Sequence, residues 1–175
     1  MTQNLKPKIP KVVWYLSVVS FFNDIASEML YPVMPIFLTQ VLGAPGFVVG
    51  LIEGVAESAS SVFKTFFGYL SDKLQKRKRF IVAGYALSAI AKIIIALSFA
   101  WPFVMVGRIT DRLGKGLRTS ARDAMLHSAA TPENRGRVFG VHRSMDTLGA
   151  VVGPAIALLL LYVLHNDIRT VLYYA

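Results

Sequence analysis

Cysteine is missing altogether from this 175-residue chain, so neither a disulfide framework nor a thiolate metal site is available to it. Acidic residues are scarce, 10 against 19 lysines and arginines, and the formal net charge is +9. Polar stretches long enough to make a water-exposed domain are also lacking. What takes their place is apolar: 54% of the residues are hydrophobic, above the roughly 45–50% of soluble domains, and they gather into long runs such as "AIALLLLYVL" and "AKIIIALSFA". The mean hydropathy is +0.52. A membrane protein is the direct reading. The positive charge does not point to nucleic acid, because the cations cluster at the ends of apolar runs and leave no soluble basic face to lie along phosphates.

Stretches of about 20 apolar residues define five spans: Val12 to Leu38, Phe47 to Leu70, Phe80 to Ala100, Trp101 to Ala124, and one within Thr131 to Leu164. "HNDIRT" then reads as a loop and "VLYYA", from Val171, as the opening of a sixth span. Lys6, Lys8 and Lys11 precede span one, Lys73 to Arg79 separate spans two and three, and Arg135 and Arg137 lead into span five. The intervening loops "TQVLGAPG" and "SFAWP" carry no charge, and "HNDIRT" carries only Arg169 among its basic residues. Cationic loops stay in the cytoplasm, so the N-terminus is expected there, in a multi-pass protein of the plasma (inner) membrane. No small-residue cleavage site follows the first apolar run, and Asp24 and Glu28 continue its helix, which favours an uncleaved span over a secretory signal. "ATPENRG" suits a helix start, with Thr131 as cap, Pro132 in the first position and Glu133 at the positive end of the dipole.

Charge within the spans carries the functional signal. An ionised group at the bilayer centre costs about 2.5–3.5 kcal/mol on insertion scales, so it is expected to face a cavity or a partner. Asp24 and Glu28 lie four apart and share a helix face with Tyr31. Glu53 and Glu57 repeat that spacing in span two, with Lys64 on nearly the same stripe. In "GRITDRLGKGLRTSARDA", Arg108, Asp111, Arg112 and Lys115 form a stripe at membrane depth, whereas Arg118, Arg122 and Asp123 are expected to emerge at the cytoplasmic face. Asp146 and Lys92 stand alone in their spans, and a local pair or snorkelling accounts for Lys92. Neutral ion pairs that hold helices together are the alternative for all of these.

Between spans two and three, "GYLSDKLQKRKRF" resembles the signature loop of the major facilitator superfamily of transporters, through Gly68, Leu70, Asp72, Lys73, Lys76, Arg77 and Phe80. Gln75 replaces the usual second glycine, so the turn is expected to form without a positive φ there. "RLGKGLRTS" is similar to the family's span-four motif through Arg112 and Gly116. "GAVVGPAIA" is similar to its span-five motif through Gly149, Gly153 and Pro154, although Ala157 and Leu158 replace the last two glycines. That third motif is associated with antiporters, while its small-residue spacing also serves close helix packing by itself.

The resemblance implies an all-α integral membrane fold in which residues 1–175 form the N-terminal six-helix half, incomplete in span six. It implies a secondary transporter of a small solute that works by alternating access, with spans one and four lining the cavity. Asp24 or Glu28 is then the proton-coupling carboxylate, its charge set by burial on one side and by Arg108 or Arg112 on the other. Arg108, Arg112 and Lys115 would attract an anionic substrate group. The expected partners are the bilayer, the solute, protons, and a C-terminal half or a second copy; a cationic drug exporter and a truncated, non-transporting assembly partner are the competing readings. No enzyme is expected. "GRITDRLGKG" fails as a phosphate loop, the three histidines have no ligand spacing, and neither a cofactor nor a metal is implied.

Overall fold

The computed structural model describes residues 8–175, and among these every regular element is helical. Helix α1 (Lys11–Glu28) starts after Pro10, whose extended ψ cannot continue a helix backwards. It breaks at Met29 because Pro32 has no N–H to offer the Glu28 carbonyl, and the chain resumes as α2 (Leu30–Ile36). Pro35 removes another donor, and Phe37–Val41 widens into a π turn closed by Leu42 N–H donating to the Phe37 carbonyl at 3.0 Å. Four long helices follow: α3 (Gly46–Leu74), α4 (Arg77–Ala96), α5 (Trp101–Ala129) and α6 (Arg135–Val163). A short α7 (Ile168–Tyr174) ends the chain, capped by Asp167, which accepts from Thr170 N–H.

Three helix boundaries differ from the sequence expectations. Gln75 does adopt the left-handed conformation, φ 52°, and terminates α3; its side chain donates to the Asp72 carbonyl at 2.6 Å, which compensates for the missing glycine. Helix α5 runs on past Ala124 to Ala129. Helix α6 starts at Arg135 because Thr131 to Asn134 close a turn of their own, with Thr131 N–H donating to Asn134 Oδ1 at 2.8 Å.

The molecule is inside-out relative to a water-soluble domain. Phe47, Phe66, Phe99 and Tyr162 are exposed on its outer surface, while Arg108, Asp111, Arg112, Arg118 and Arg122 are buried. Helices α3, α4 and α6 are long and apolar enough to cross a membrane. Helix α5 has the length, but its charges keep it out of that class. Packed as a bundle with hydrocarbon outside, the chain is an all-α membrane fold.

Helix α5 packs along both α3 and α4, and α1 packs along α6. At Gly149 and Gly153 the α6 backbone comes so close to α1 that a Cβ would lie 2.8 Å from the Phe21 carbonyl and 2.6 Å from the Ile25 carbonyl. Gly84 and Gly114 make the equivalent approach between α4 and α5. Pro154 is accommodated inside α6. A large apolar core gathers Leu30, Phe37, Ile52, Ile95, Val104 and Leu161 at one end of the bundle. A small one gathers Val13, Leu126 and Val138 at the other. Along α1, α5 and α6 the residues between those two cores are the charged and hydroxyl side chains.

Candidate functional site

Helix α5 sends four arginines to three neighbouring helices, two to α3, one to α1 and one to α6. Arg108, 1% exposed, donates through one guanidinium nitrogen to both carboxylate oxygens of Glu53 on α3, at 2.7 and 2.6 Å. Its guanidinium also lies 5.5 Å from the ring centroid of Tyr31. Arg112 donates to the Tyr31 hydroxyl at 3.1 Å and lies 3.6 Å from Glu57. Nearly two turns further on, Arg118 meets Asp24 of α1 at 3.5 Å and sits 5.0 Å from the Tyr85 ring centroid on α4. The Asn23 amide, with its oxygen turned to that guanidinium, accepts from it at 2.8 and 2.6 Å. Arg122 donates to Ser20 at 2.6 Å and lies 3.4 Å from Asp146 of α6.

The last of these contacts opens a continuous polar chain. Asp146 Oδ2 is 3.5 Å from His142 Nε2, and His142 Nδ1 is 3.1 Å from Ser17 Oγ. Ser20 Oγ is 2.9 Å from the Tyr85 hydroxyl. Asp111 faces the other way, toward α4, where Lys92 approaches to 4.0 Å. These links, more than apolar contact, tie the α1–α6 pair to the α3–α4–α5 group in the middle of the bundle.

A cleft of ≈ 590 Å³ opens beside the network, and Asp24, Glu57, Lys64, Lys115, Arg118, Arg122, Arg143 and Asp146 contribute to its wall. Lys115 is half-buried, and Gly116, against Phe63, lets α5 and α3 approach each other at the cleft. Glu28 is half-buried too, but it forms no ion pair among the described residues. At the signature loop, Asp72 lies 3.7 Å from Arg77, and Arg77 donates to Ser128 Oγ at 2.6 Å and to the Ala124 carbonyl at 3.3 Å, fastening the start of α4 to the end of α5. Gly68 sits in α3 close to Ser120, and Lys73 and Lys76 are exposed.

Several sequence expectations change here. Asp24 is paired with Arg118, not with Arg108 or Arg112, which are taken by Glu53 and Glu57. Arg118 and Arg122 do not emerge from the bundle: they are 2% and 5% exposed, because α5 is long enough to keep both beneath its final turns. Their signal was present in the sequence, since 108, 111, 115, 118 and 122 continue one three-and-four stripe. Asp146 has partners in Arg122 and His142, while Lys92 keeps the local pair expected of it, with Asp111.

A profile of the Major Facilitator Superfamily matches residues 16–175. An MFS-type transporter of Methanocaldococcus jannaschii is 36% identical over 165 residues, covering 94% of this chain and 41% of that protein. The inner membrane transport protein YajR of Escherichia coli is 28% identical over 156 residues, 87% of this chain and 34% of that one. The multidrug resistance protein MdtH of Proteus mirabilis is 28% identical over 138 residues, 78% of this chain and 34% of its own. The chain therefore spans about two fifths or less of the length of the curated relatives it matches. With its apolar exterior, charged interior and a family match over residues 16–175, the chain belongs to the major facilitator superfamily.

Proposed function

We propose that the chain is the N-terminal half-bundle of a secondary transporter for a small solute, which works by alternating access against a second half-bundle. One observation carries this reading: two buried arginines of α5, Arg118 and Arg122, paired to Asp24 and Asp146, border a cleft instead of a sealed core. Pairs that serve only to join helices have no need of an opening beside them. Pairs at a cleft can exchange partners when a solute or proton enters, and those of Arg118 and Arg122 join two separately packed helix groups.

Asp24 and Glu28 are the proton-coupling carboxylates in this reading. Protonation of Asp24 removes the charge that holds Arg118 and frees α5 to shift against α1. Glu28, next to Gly153 and without a paired cation among the described residues, takes the proton without first breaking a bridge. Exposed Lys73, Lys76, Lys78 and Arg79, clustered around the α3–α4 turn, support a cytoplasmic N-terminus in the plasma (inner) membrane. The close α1–α6 crossing at Gly149 and Gly153 is consistent with an antiporter.

The full-length protein in proteoliposomes with an imposed pH gradient and an internal pH dye provides the test. A solute from a panel of small anions and cations is expected to drive proton flux, and the double variant Asp24→Asn, Glu28→Gln to abolish it. Undiminished proton coupling in that variant removes the assignment.

A further inference from the structure

We propose that the cleft is a site for a small hydrophilic anion, bearing one or more carboxylates or a phosphate, held by Lys115 of α5, Lys64 of α3 and Arg143 of α6. The inference rests on the transporter reading above and names its substrate class. Every guanidinium that α5 buries already faces a carboxylate, and the three carboxylates in the cleft wall are the ones so engaged. Lys64, Lys115 and Arg143 are different: among the described residues none has a carboxylate oxygen within the 4.0 Å of an ion pair. Three helices thus each deliver one uncommitted cation to the same space.

Chemistry decides the class of ligand. The wall adds the hydroxyls of Ser61, Thr119 and Thr147 and contains no aromatic or large aliphatic side chain. A lipophilic cation needs aromatic faces and spare carboxylates; this wall has neither to offer. An oxyanion needs cations converging on one space and hydrogen-bond donors for its remaining lone pairs; half-buried Lys115 supplies the less solvated cation, exposed Lys64 and Arg143 flank it, and the hydroxyls supply the donors. Arg108 and Arg112, the sequence candidates for this task, are engaged by Glu53, Glu57 and Tyr31, lie outside the cleft wall and act as the scaffold behind the site.

Isothermal titration of the full-length protein, in detergent at about 150 mM salt to screen loose surface charge, tests the assignment. The probes are inorganic phosphate, succinate and citrate, with tetraphenylphosphonium as the cationic counterpart. Saturable binding of at least one anion is expected, weakened about tenfold or more by Lys115→Gln and by the exposed Arg143→Gln, and kept by Lys115→Arg. Which of the three binds separates phosphate from carboxylate recognition. Binding of tetraphenylphosphonium alone, or anion binding indifferent to both glutamine variants, overturns the proposal. Anion binding without any solute-driven flux leaves this inference standing and removes the transporter reading; flux of cations alone does the reverse.

Discussion

Glu53 and Glu57 sit four residues apart on one helix, facing two arginines four apart on another, yet their removal should cost very different amounts. Arg108 is 1% exposed and has both oxygens of Glu53 within 2.7 Å. Its Nε is also buried and without a hydrogen-bond acceptor. Glu53→Gln therefore leaves a guanidinium enclosed with no counter-charge, which costs about 3–5 kcal/mol. The remaining amide oxygen still accepts one hydrogen bond, worth about 1 kcal/mol, so the net loss is about 2–4 kcal/mol. Glu57 is 68% exposed and 3.6 Å from Arg112, whose other hydrogen bond, to Tyr31, survives. An exposed pair of that kind contributes about 0–1 kcal/mol, so Glu57→Gln should be nearly neutral. Unfolding of the two variants by titration with a denaturing detergent in mixed micelles measures the difference, about 2 kcal/mol or roughly thirtyfold in the unfolding equilibrium. The double variant Glu53→Gln, Arg108→Gln should recover part of the loss, because the orphaned charge leaves with its partner. Equal losses at positions 53 and 57, or no recovery in the double variant, would show that burial of Arg108 is not what sets the cost.

Two further outcomes follow from the turns. Gln75→Gly relieves a left-handed backbone costing about 1–2 kcal/mol while giving up one side-chain hydrogen bond, so the thermal transition should rise by the equivalent of about 0.5–1 kcal/mol; a fall refutes the strain. Asp167 accepts from Thr170 N–H at 3.2 Å and from its hydroxyl at 2.6 Å, and these bonds hold its carboxyl below the ordinary aspartate value. A folded pKa depressed in this way gives α7 a contribution that is complete above the ordinary value and lost as pH falls through the folded one, so hydrogen exchange in α7, corrected for intrinsic rate, should accelerate in acid. Asp167→Asn caps without titrating and should abolish that acid dependence; persistence of the dependence refutes the cap as its source.

The sequence made the helical membrane class and the importance of the α5 stripe legible, because both depend on what a residue is and on its neighbours three and four places away. It did not reveal the pairings. Depth along each helix can be counted, but the axial offset between helices cannot, and that offset decides whether Asp24 meets Arg112 or Arg118. Here the break at Met29, imposed by Pro32, and contact at Gly149 and Gly153 fix α1 against α6, while Gly84 and Gly114, which drew no notice in the sequence, fix α4 against α5. Gln75 shows a related limit. Absence of glycine argued against a positive φ, but a side chain able to reach the Asp72 carbonyl offset the penalty.

Helix α5 also constrains the order in which the protein is made. A lone helix carrying Arg108, Arg112, Arg118 and Arg122 faces about 2.5–3.5 kcal/mol for each charge on entering lipid, a sum on the order of 10 kcal/mol. Glu53, Glu57 and Asp24 have already left the ribosome when α5 is synthesised and can neutralise three of those charges as it partitions. Arg122 has a carboxylate on α5 itself, Asp123 at 3.6 Å, but its cross-helix partner Asp146 belongs to α6, the next helix. The bridge from α5 to α6 is therefore the last of the four to close, because it forms only once α6 has been made.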